Sequence, residues 1–160
     1  MLTINIISVG KIKEQFFKDA ISEYSKRLSK YCTLNFMEIE DEKLPSKINN
    51  KIIENIKDIE CTKIINLIKK ETYLICLDLK GNNYSSEKFS ELLDDIALNF
   101  SSNVTFVIGG TLGLTDMLLS KSDKLISFSK MTFPHQLIKV FLLEQLFRAF
   151  KISKGETYHW

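Results

Sequence analysis

Val104-Thr105-Phe106-Val107-Ile108-Gly109-Gly110-Thr111-Leu112-Gly113 is an apolar, β-branched run that stops at paired glycines, with a third glycine three residues on. A run of this length and composition, bounded by glycine, reads as a buried strand entering a tight turn. About fifteen residues later a second apolar run, from Lys124, ends in Phe128-Ser129-Lys130-Met131-Thr132-Phe133-Pro134-His135-Gln136, a loop that feeds directly into a helix. Open α/β sheets bind ligands in the loops at the carboxyl ends of their strands, so these two loops are where chemistry is expected.

Outward from this stretch, strand-like and helix-like periodicities alternate from end to end. Leu2 to Val9 reads as a strand, and Gly10-Lys11 turns the chain into a helix with Phe16, Phe17, Ala20, Ile21, Tyr24 and Leu28 on its apolar face. Thr33 to Ile39 is the second strand, and Pro45 and Ser46 close the loop before a long helix from about Ile48 to Ile68 whose apolar residues are Ile52, Ile56, Ile59 and Ile64. Tyr73 to Leu79 is a third strand, ended by the turn signal Lys80-Gly81-Asn82-Asn83. Ser85 or Ser86 caps a helix through Phe89, Leu92, Leu93 and Ile96. Val104 to Ile108, a short helix from Leu114 to Ser120, a strand from Lys124 to Phe128 and a last helix from Pro134 to about Ile152 complete the pattern. Strict β-α alternation without linker or repeat predicts one α/β domain over residues 1–160, a mostly parallel sheet flanked by helices.

The last helix is apolar almost all round. Leu137, Ile138, Val140, Phe141, Leu142, Leu143, Leu146, Phe147, Ala149 and Phe150 leave a narrow polar stripe of Glu144, Arg148 and Lys151, with Lys139 alone on the far side. A helix apolar on both flanks has to be covered twice, which points to its own sheet and a second copy of the chain, a homodimer.

Composition bounds the function. Of 160 residues, 44% are hydrophobic and 26% charged, as in an ordinary globular protein, and the N-terminus is too short and polar for a signal peptide or membrane span. A cytoplasmic protein without a membrane association is expected. Cys32, Cys61 and Cys76 form no CxxC pair and the histidines are only His135 and His159, so neither a disulfide framework nor a metal site is expected. Cys76 lies in a strand run and reads as a small buried hydrophobe.

The net charge of +2 conceals a basic N-terminal thirty residues, an acidic middle and a basic last sixty. If the two ends meet in space they form a basic face suited to nucleic acid. Arg27 and Arg148 are the two arginines among 22 basic residues, a choice consistent with a need for the planar fork.

Around the second loop, Ser129 and Thr132 offer hydroxyls, Lys130 a cation, and Met131 and Phe133 apolar walls. His135 stands in the first turn of a helix, where the positive end of the helix dipole disfavours protonation. The tail Glu156-Thr157-Tyr158-His159-Trp160 is unusually aromatic and suited to stacking on bases. The glycine turn carries neither the GxGxxG order of a dinucleotide fold nor a GxxxxGK[ST] phosphate loop.

Together these residues resemble a known family. FVIGG followed by Gly113, then SFSKMTFPHQ from Ser127 with Val140, Glu144-Gln145, Arg148-Ala149-Phe150 and Ile152, then Tyr158-His159, are similar to the RlmH-type ribosomal RNA pseudouridine methyltransferases, the smallest branch of the SPOUT class. The strings SVGKIKE from Ser8, SEYSKRLSKY from Ser22, Glu38-Ile39-Glu40-Asp41-Glu42-Lys43 and LDLKG from Leu77 extend the resemblance along the whole chain.

The resemblance implies a C-terminal trefoil knot, with knot and cofactor site within about residues 73–160, and an obligate homodimer. It implies S-adenosyl-L-methionine as cofactor, contacted by Leu77, Gly109 and Phe128, Ser129, Lys130, Met131, Thr132 and Phe133. The implied reaction is methyl transfer to N3 of a pseudouridine in 23S rRNA of the assembled ribosome, with no metal. Arg148, His135, Tyr158 and His159 are the candidates for orienting the base or accepting its proton. The tail ends in Trp160 where the family usually has a basic residue. Two other readings fit the same residues: a SPOUT enzyme acting on another RNA such as tRNA, and a non-catalytic RNA- or nucleotide-binding module. The RNA that accepts the methyl group discriminates among them.

Overall fold

The computed structural model describes residues 1–157, so Tyr158, His159 and Trp160 lie outside the described residues. The elements follow the alternating order: β1 (Leu2–Val9), α1 (Gln15–Leu28), β2 (Cys32–Ile39), α2 (Asn50–Leu67), β3 (Tyr73–Asn82), α3 (Ser86–Asn99), β4 (Asn103–Ile108), α4 (Asp116–Lys121), β5 (Lys124–Ile126) and α5 (His135–Ser153). The five strands form one sheet in the order β2-β1-β4-β3-β5, and every strand pair in it is parallel. All five carboxyl ends therefore lie at one edge.

The pleat sends alternate residues to opposite faces. Ile4 and Ile6 of β1, Ile75 of β3 and Phe106 of β4 pack with Leu28, Phe89, Leu93, Ile96, Leu142 and Leu146, under α1, α3 and α5. Ile7, Val9, Cys76 and Val107 face the other way, against Cys61, Ile64, Leu118 and Leu119 of α2 and α4. The strands are covered on both sides, which is why they read as continuous apolar runs. Cys76 is fully buried and its thiol is pushed up to about 12 by that burial.

Several boundaries differ from the sequence reading, each for a local reason. The Lys80-Gly81-Asn82-Asn83 signal does not end β3. Leu77 pairs with Ile126, the next residues bulge outward, and Asn82 returns to pair with the same Ile126. The Asn82 carbonyl accepts from the Ser127 N–H (3.0 Å) and the Asn83 amide donates to the Ser127 carbonyl (2.7 Å), so β5 stops at Ile126 rather than Phe128. The bulge needs Gly81, because a β-carbon there would lie 2.5 Å from the Ile126 backbone.

The cap of α2 is Asn49, whose side chain accepts from the Ile52 N–H (2.9 Å), in place of Ser46. Pro134 stands just outside α5, leaving His135 as its first residue. Phe16 and Ile59, expected on apolar helix faces, are exposed. Lys139 is 1% exposed, because its ammonium donates to Glu38 on β2 at 2.8 Å and lies over the Phe36 ring. On the flanks of α5, Ser90 of α3 donates to the Ala149 carbonyl (2.7 Å) and Tyr31, just past α1, stacks on Phe150, so neighbours within the chain cover part of both flanks.

Candidate functional site

The carboxyl ends of β3, β4 and β5 open into one cavity of about 740 Å³, within the range of about 300 to 1,000 Å³ usual for small-molecule sites. Three segments wall it: Leu77 to Lys80 from the β3 bulge, Ile108 to Leu114 from the glycine turn, and Ile126 to Gln136 without Lys130 from the loop before α5. The glycine turn is tight. Gly113 has a φ of +82° and donates its N–H to the Gly110 carbonyl (3.0 Å). A β-carbon on Gly109 would lie 3.0 Å from Leu114, so glycine there lets the backbone itself face the cavity.

The turn is held from behind by α2. Cys61 accepts the Thr115 N–H on its sulfur (3.3 Å), at the cap of α4. Its neighbour Glu60 is 4% exposed; one carboxylate oxygen accepts the Glu42 N–H (3.0 Å), and the other lies 3.4 Å from where a Gly110 β-carbon would stand. Burial raises the Glu60 pKa above its ordinary value, outweighing the opposing effect of the Glu42 N–H. One turn earlier Lys57 borders the cavity.

His135 forms the opposite wall. Its Nε2 is buried with no hydrogen-bond partner among the described residues, packed against Gly10 at the end of β1. Burial lowers its pKa below 6.5, with Asp41, Glu14 and Glu38 opposing and Lys139 reinforcing the shift. The imidazole is thus held neutral at physiological pH.

A smaller hollow of about 460 Å³ shares the wall from Ile126 to Ser129 and Phe133. Its lining is aromatic, with Tyr84, Phe89 and Phe141, together with Glu144. Glu144 accepts from Arg148 at 2.8 and 3.2 Å, which fixes the guanidinium along α5.

The profile of a family described as "Predicted SPOUT methyltransferase" matches residues 2–159. The chain belongs to the SPOUT methyltransferases. It is 51% identical over 158 residues to a protein of Clostridium acetobutylicum named ribosomal RNA large subunit methyltransferase H, covering 99% of each chain. It is 54% identical over the same length, with the same coverage, to the protein of that name from Clostridium botulinum. A solved Legionella pneumophila protein described as a methyltransferase with the cofactor SAM bound shares the fold at a TM-score of 0.51 and 14% identity, over 95% of this chain and 66% of that one.

On this SPOUT chain, the residues singled out from sequence fall into three groups. Leu77, Gly109, Phe128, Ser129, Met131, Thr132, Phe133 and His135 border the large cavity together. Lys130, within the same loop, is exposed and does not line it. Arg148 lies away from it, on the stretch of α5 beside the second hollow, and Tyr158 and His159 lie outside the described residues.

The cavity suits S-adenosyl-L-methionine. Apolar walls at Leu77, Phe128 and Phe133 match an adenine face, while glycine-exposed backbone and the Ser129 and Thr132 hydroxyls offer the polar contacts a nucleoside requires. Among the described residues no cluster of His, Cys, Asp or Glu could hold a metal ion, and no helix is long and apolar enough to cross a membrane.

The α2 residues were missed in the sequence. Lys57, Glu60 and Cys61 share a helix face by their i, i+3, i+4 spacing. The available signal was a carboxylate beside a cysteine within an isoleucine-rich helix, which by itself names no partner.

Proposed function

We propose that this SPOUT chain methylates N3 of a pseudouridine in the 23S rRNA of the assembled ribosome, using S-adenosyl-L-methionine. The observation that carries this reading is the single cavity where three strand ends meet, on a chain half identical over its full length to proteins named for large-subunit rRNA methylation. When bound, the cofactor supplies an electrophilic methyl group on a sulfonium centre. The protein supplies position: Leu77, Gly109, Phe128, Ser129, Met131, Thr132 and Phe133 would hold the cofactor, so the incoming nitrogen would meet an oriented methyl group.

As the bond to N3 forms, the methyl–sulfur bond would break to leave a neutral thioether, and the N3 proton would pass to solvent water. His135 is a poor acceptor through Nε2, because an imidazolium there would be buried against Gly10. Its role is to shape the cavity wall. Recognition of the RNA falls to Arg148, whose planar fork, steadied by Glu144, suits a base edge or phosphate, and to Tyr158 and His159 of the tail.

The same reading includes a homodimer formed through α5, where Leu137, Val140 and Phe141 remain half-exposed, and action in the cytoplasm, where ribosomes are. It also includes a trefoil knot within about residues 73–160. The resemblance along the whole chain, and membership of the SPOUT methyltransferases, support that part of the reading.

The test is transfer of labelled methyl from S-adenosyl-L-methionine to assembled ribosomes lacking this modification, with free rRNA and tRNA in parallel. Label at N3 of one large-subunit pseudouridine, in ribosomes only, is expected. Label on tRNA, or none with cofactor binding intact, overturns the reading. Arg148→Ala is expected to lower turnover at least tenfold while cofactor affinity stays within twofold; equal loss of both would remove Arg148 from the RNA side.

A further inference from the structure

Lys57, Asp78, Lys80 and Asp116 are the charged side chains that border the large cavity, beside the neutral His135. Three of them have partners. Asp78 accepts the Lys80 backbone N–H (2.9 Å) within the β3 bulge, and the Lys80 ammonium donates to Asp116 at 3.3 Å. Lys57 has no hydrogen bond or ion pair among the described residues. It is half-buried on the cavity wall, a cation without a counter-charge.

Its place is fixed from behind. Glu60 and Cys61, one turn further along α2, are buried; Cys61 accepts the Thr115 N–H (3.3 Å) and Glu60 lies against Gly110. Residues three and four apart share a helix face, so the contacts that seat α2 behind the glycine turn also bring Lys57 to the cavity. A half-buried lysine packs its aliphatic stem and keeps its ammonium available.

Lys57 also comes from the other face of the sheet than the apolar walls. Leu77 and Phe128 pack with the core under α1, α3 and α5, whereas α2 covers the opposite face. A ligand filling the cavity meets apolar surface on one side and a cation on the other.

S-adenosyl-L-methionine has that polarity. Its adenosine is neutral, and its amino-acid arm carries one carboxylate and one ammonium beside the sulfonium. The cofactor is therefore a net cation. A lone ammonium in a pocket for a net cation repels it, unless it meets the one anionic group.

We propose that Lys57 binds the α-carboxylate of the cofactor's methionine portion and so selects a ligand that carries it. The assignment rests on the cofactor position proposed above and adds a charged contact from α2, outside the three segments that wall the site. A charge-assisted bond at a half-buried site is stronger than an ion pair on an open surface. Lys57 touches the cofactor and not the transferred methyl group; it orients the methionine arm.

Calorimetry without RNA decides this. S-adenosyl-L-methionine, S-adenosylhomocysteine and decarboxylated S-adenosylmethionine are each titrated into the full-length protein, Lys57→Met and Lys57→Arg, with ribosome binding measured in parallel. Methionine keeps the length and apolar packing of the lysine stem and removes its charge. The decarboxylated compound keeps the adenosine, sulfonium and ammonium. Lys57→Met is expected to bind the two carboxylate-bearing ligands about tenfold more weakly or worse. It should bind the decarboxylated compound within about twofold of the unsubstituted protein, or more tightly, because a repelling charge has gone. Lys57→Arg retains a cation and should keep S-adenosyl-L-methionine affinity within about threefold.

Equal weakening of all three ligands by Lys57→Met would make the lysine a piece of the wall and overturn the proposal. Unchanged affinity for all three overturns it as well, and a fall in ribosome binding instead would give the lysine to the RNA. The parent reading fails separately. A protein that prefers the carboxylate through Lys57 yet methylates no RNA loses the proposed reaction and keeps this contact. Failure of the unsubstituted protein to bind S-adenosyl-L-methionine overturns the cofactor position, and the Lys57 assignment with it.

Discussion

His135 Nε2 and Gly10 are packed so closely that a β-carbon on the glycine would lie 2.7 Å from the ring nitrogen. Gly10 has a φ of +91° and donates its N–H to the Ile39 carbonyl at 2.8 Å. One contact thus joins the ends of β1 and β2 to the start of α5 beside the cavity. Gly10→Ala meets both a left-handed backbone and an overpacked wall, an expected loss of about 2 to 4 kcal/mol. The double variant Gly10→Ala, His135→Ala should fare better than the sum of the two single changes, by urea unfolding. Simple additivity would show that the contact is not made in solution.

Burial lowers the His135 pKa in the folded state, so the unfolded chain binds its proton more readily. Stability from this residue is complete above the unfolded value of about 6.5 and is lost as pH falls from there through the lower folded pKa. Unfolding of the protein and of His135→Gln, measured between about pH 7.5 and 5, should show the protein losing stability relative to the variant on acidification. Parallel curves would mean that the imidazole is not held neutral.

Glu60 titrates in the opposite sense. Its folded pKa is raised by burial, so the charged carboxylate weakens the fold as pH rises above about 4.5. Glu60→Gln keeps an oxygen for the Glu42 N–H and removes the buried charge; it should be at least as stable as the protein at pH 7. Glu60→Ala strands that N–H, an expected loss of about 1 to 3 kcal/mol, and loosens the support of Gly110. Cofactor affinity measured by calorimetry should accordingly be kept in Glu60→Gln and fall several-fold in Glu60→Ala.

Gly81 and Gly113 separate sterics from backbone strain. A β-carbon on Gly81 would stand 2.5 to 2.7 Å from backbone atoms of Leu125 and Ile126, which cannot yield as a side-chain tip can. Gly113 has a φ of +82° with open space around it. Gly113→Ala should therefore cost about 1 to 2 kcal/mol and leave the fold intact. Gly81→Ala should cost clearly more, read as the larger drop in melting temperature; the reverse order would contradict the close packing of the β3 bulge against β5.

The sequence by itself determined the order of the elements, the parallel sheet and the family. Alternation of two hydrophobic periods is a local property, and fully buried strands such as Val104 to Ile108 declare themselves as unbroken apolar runs. It also marked the cavity walls at Gly109 and in Phe128 to Phe133, Lys130 excepted, because close approach of backbone to a ligand favours glycine and strand-end loops. Only the tertiary structure decided what depends on neighbours distant in the chain. Lys80-Gly81-Asn82-Asn83 has turn residues yet forms a bulge, since the partner at Ile126 accepts pairing on both sides of it. Lys139 reads only as a lone charge on the far side of an apolar helix, and is buried because Glu38, 101 residues away, meets its ammonium. Glu60, too, became a support of the glycine turn only when α2 was laid against it, because a carboxylate's environment is set by packing and carries no imprint in its immediate sequence.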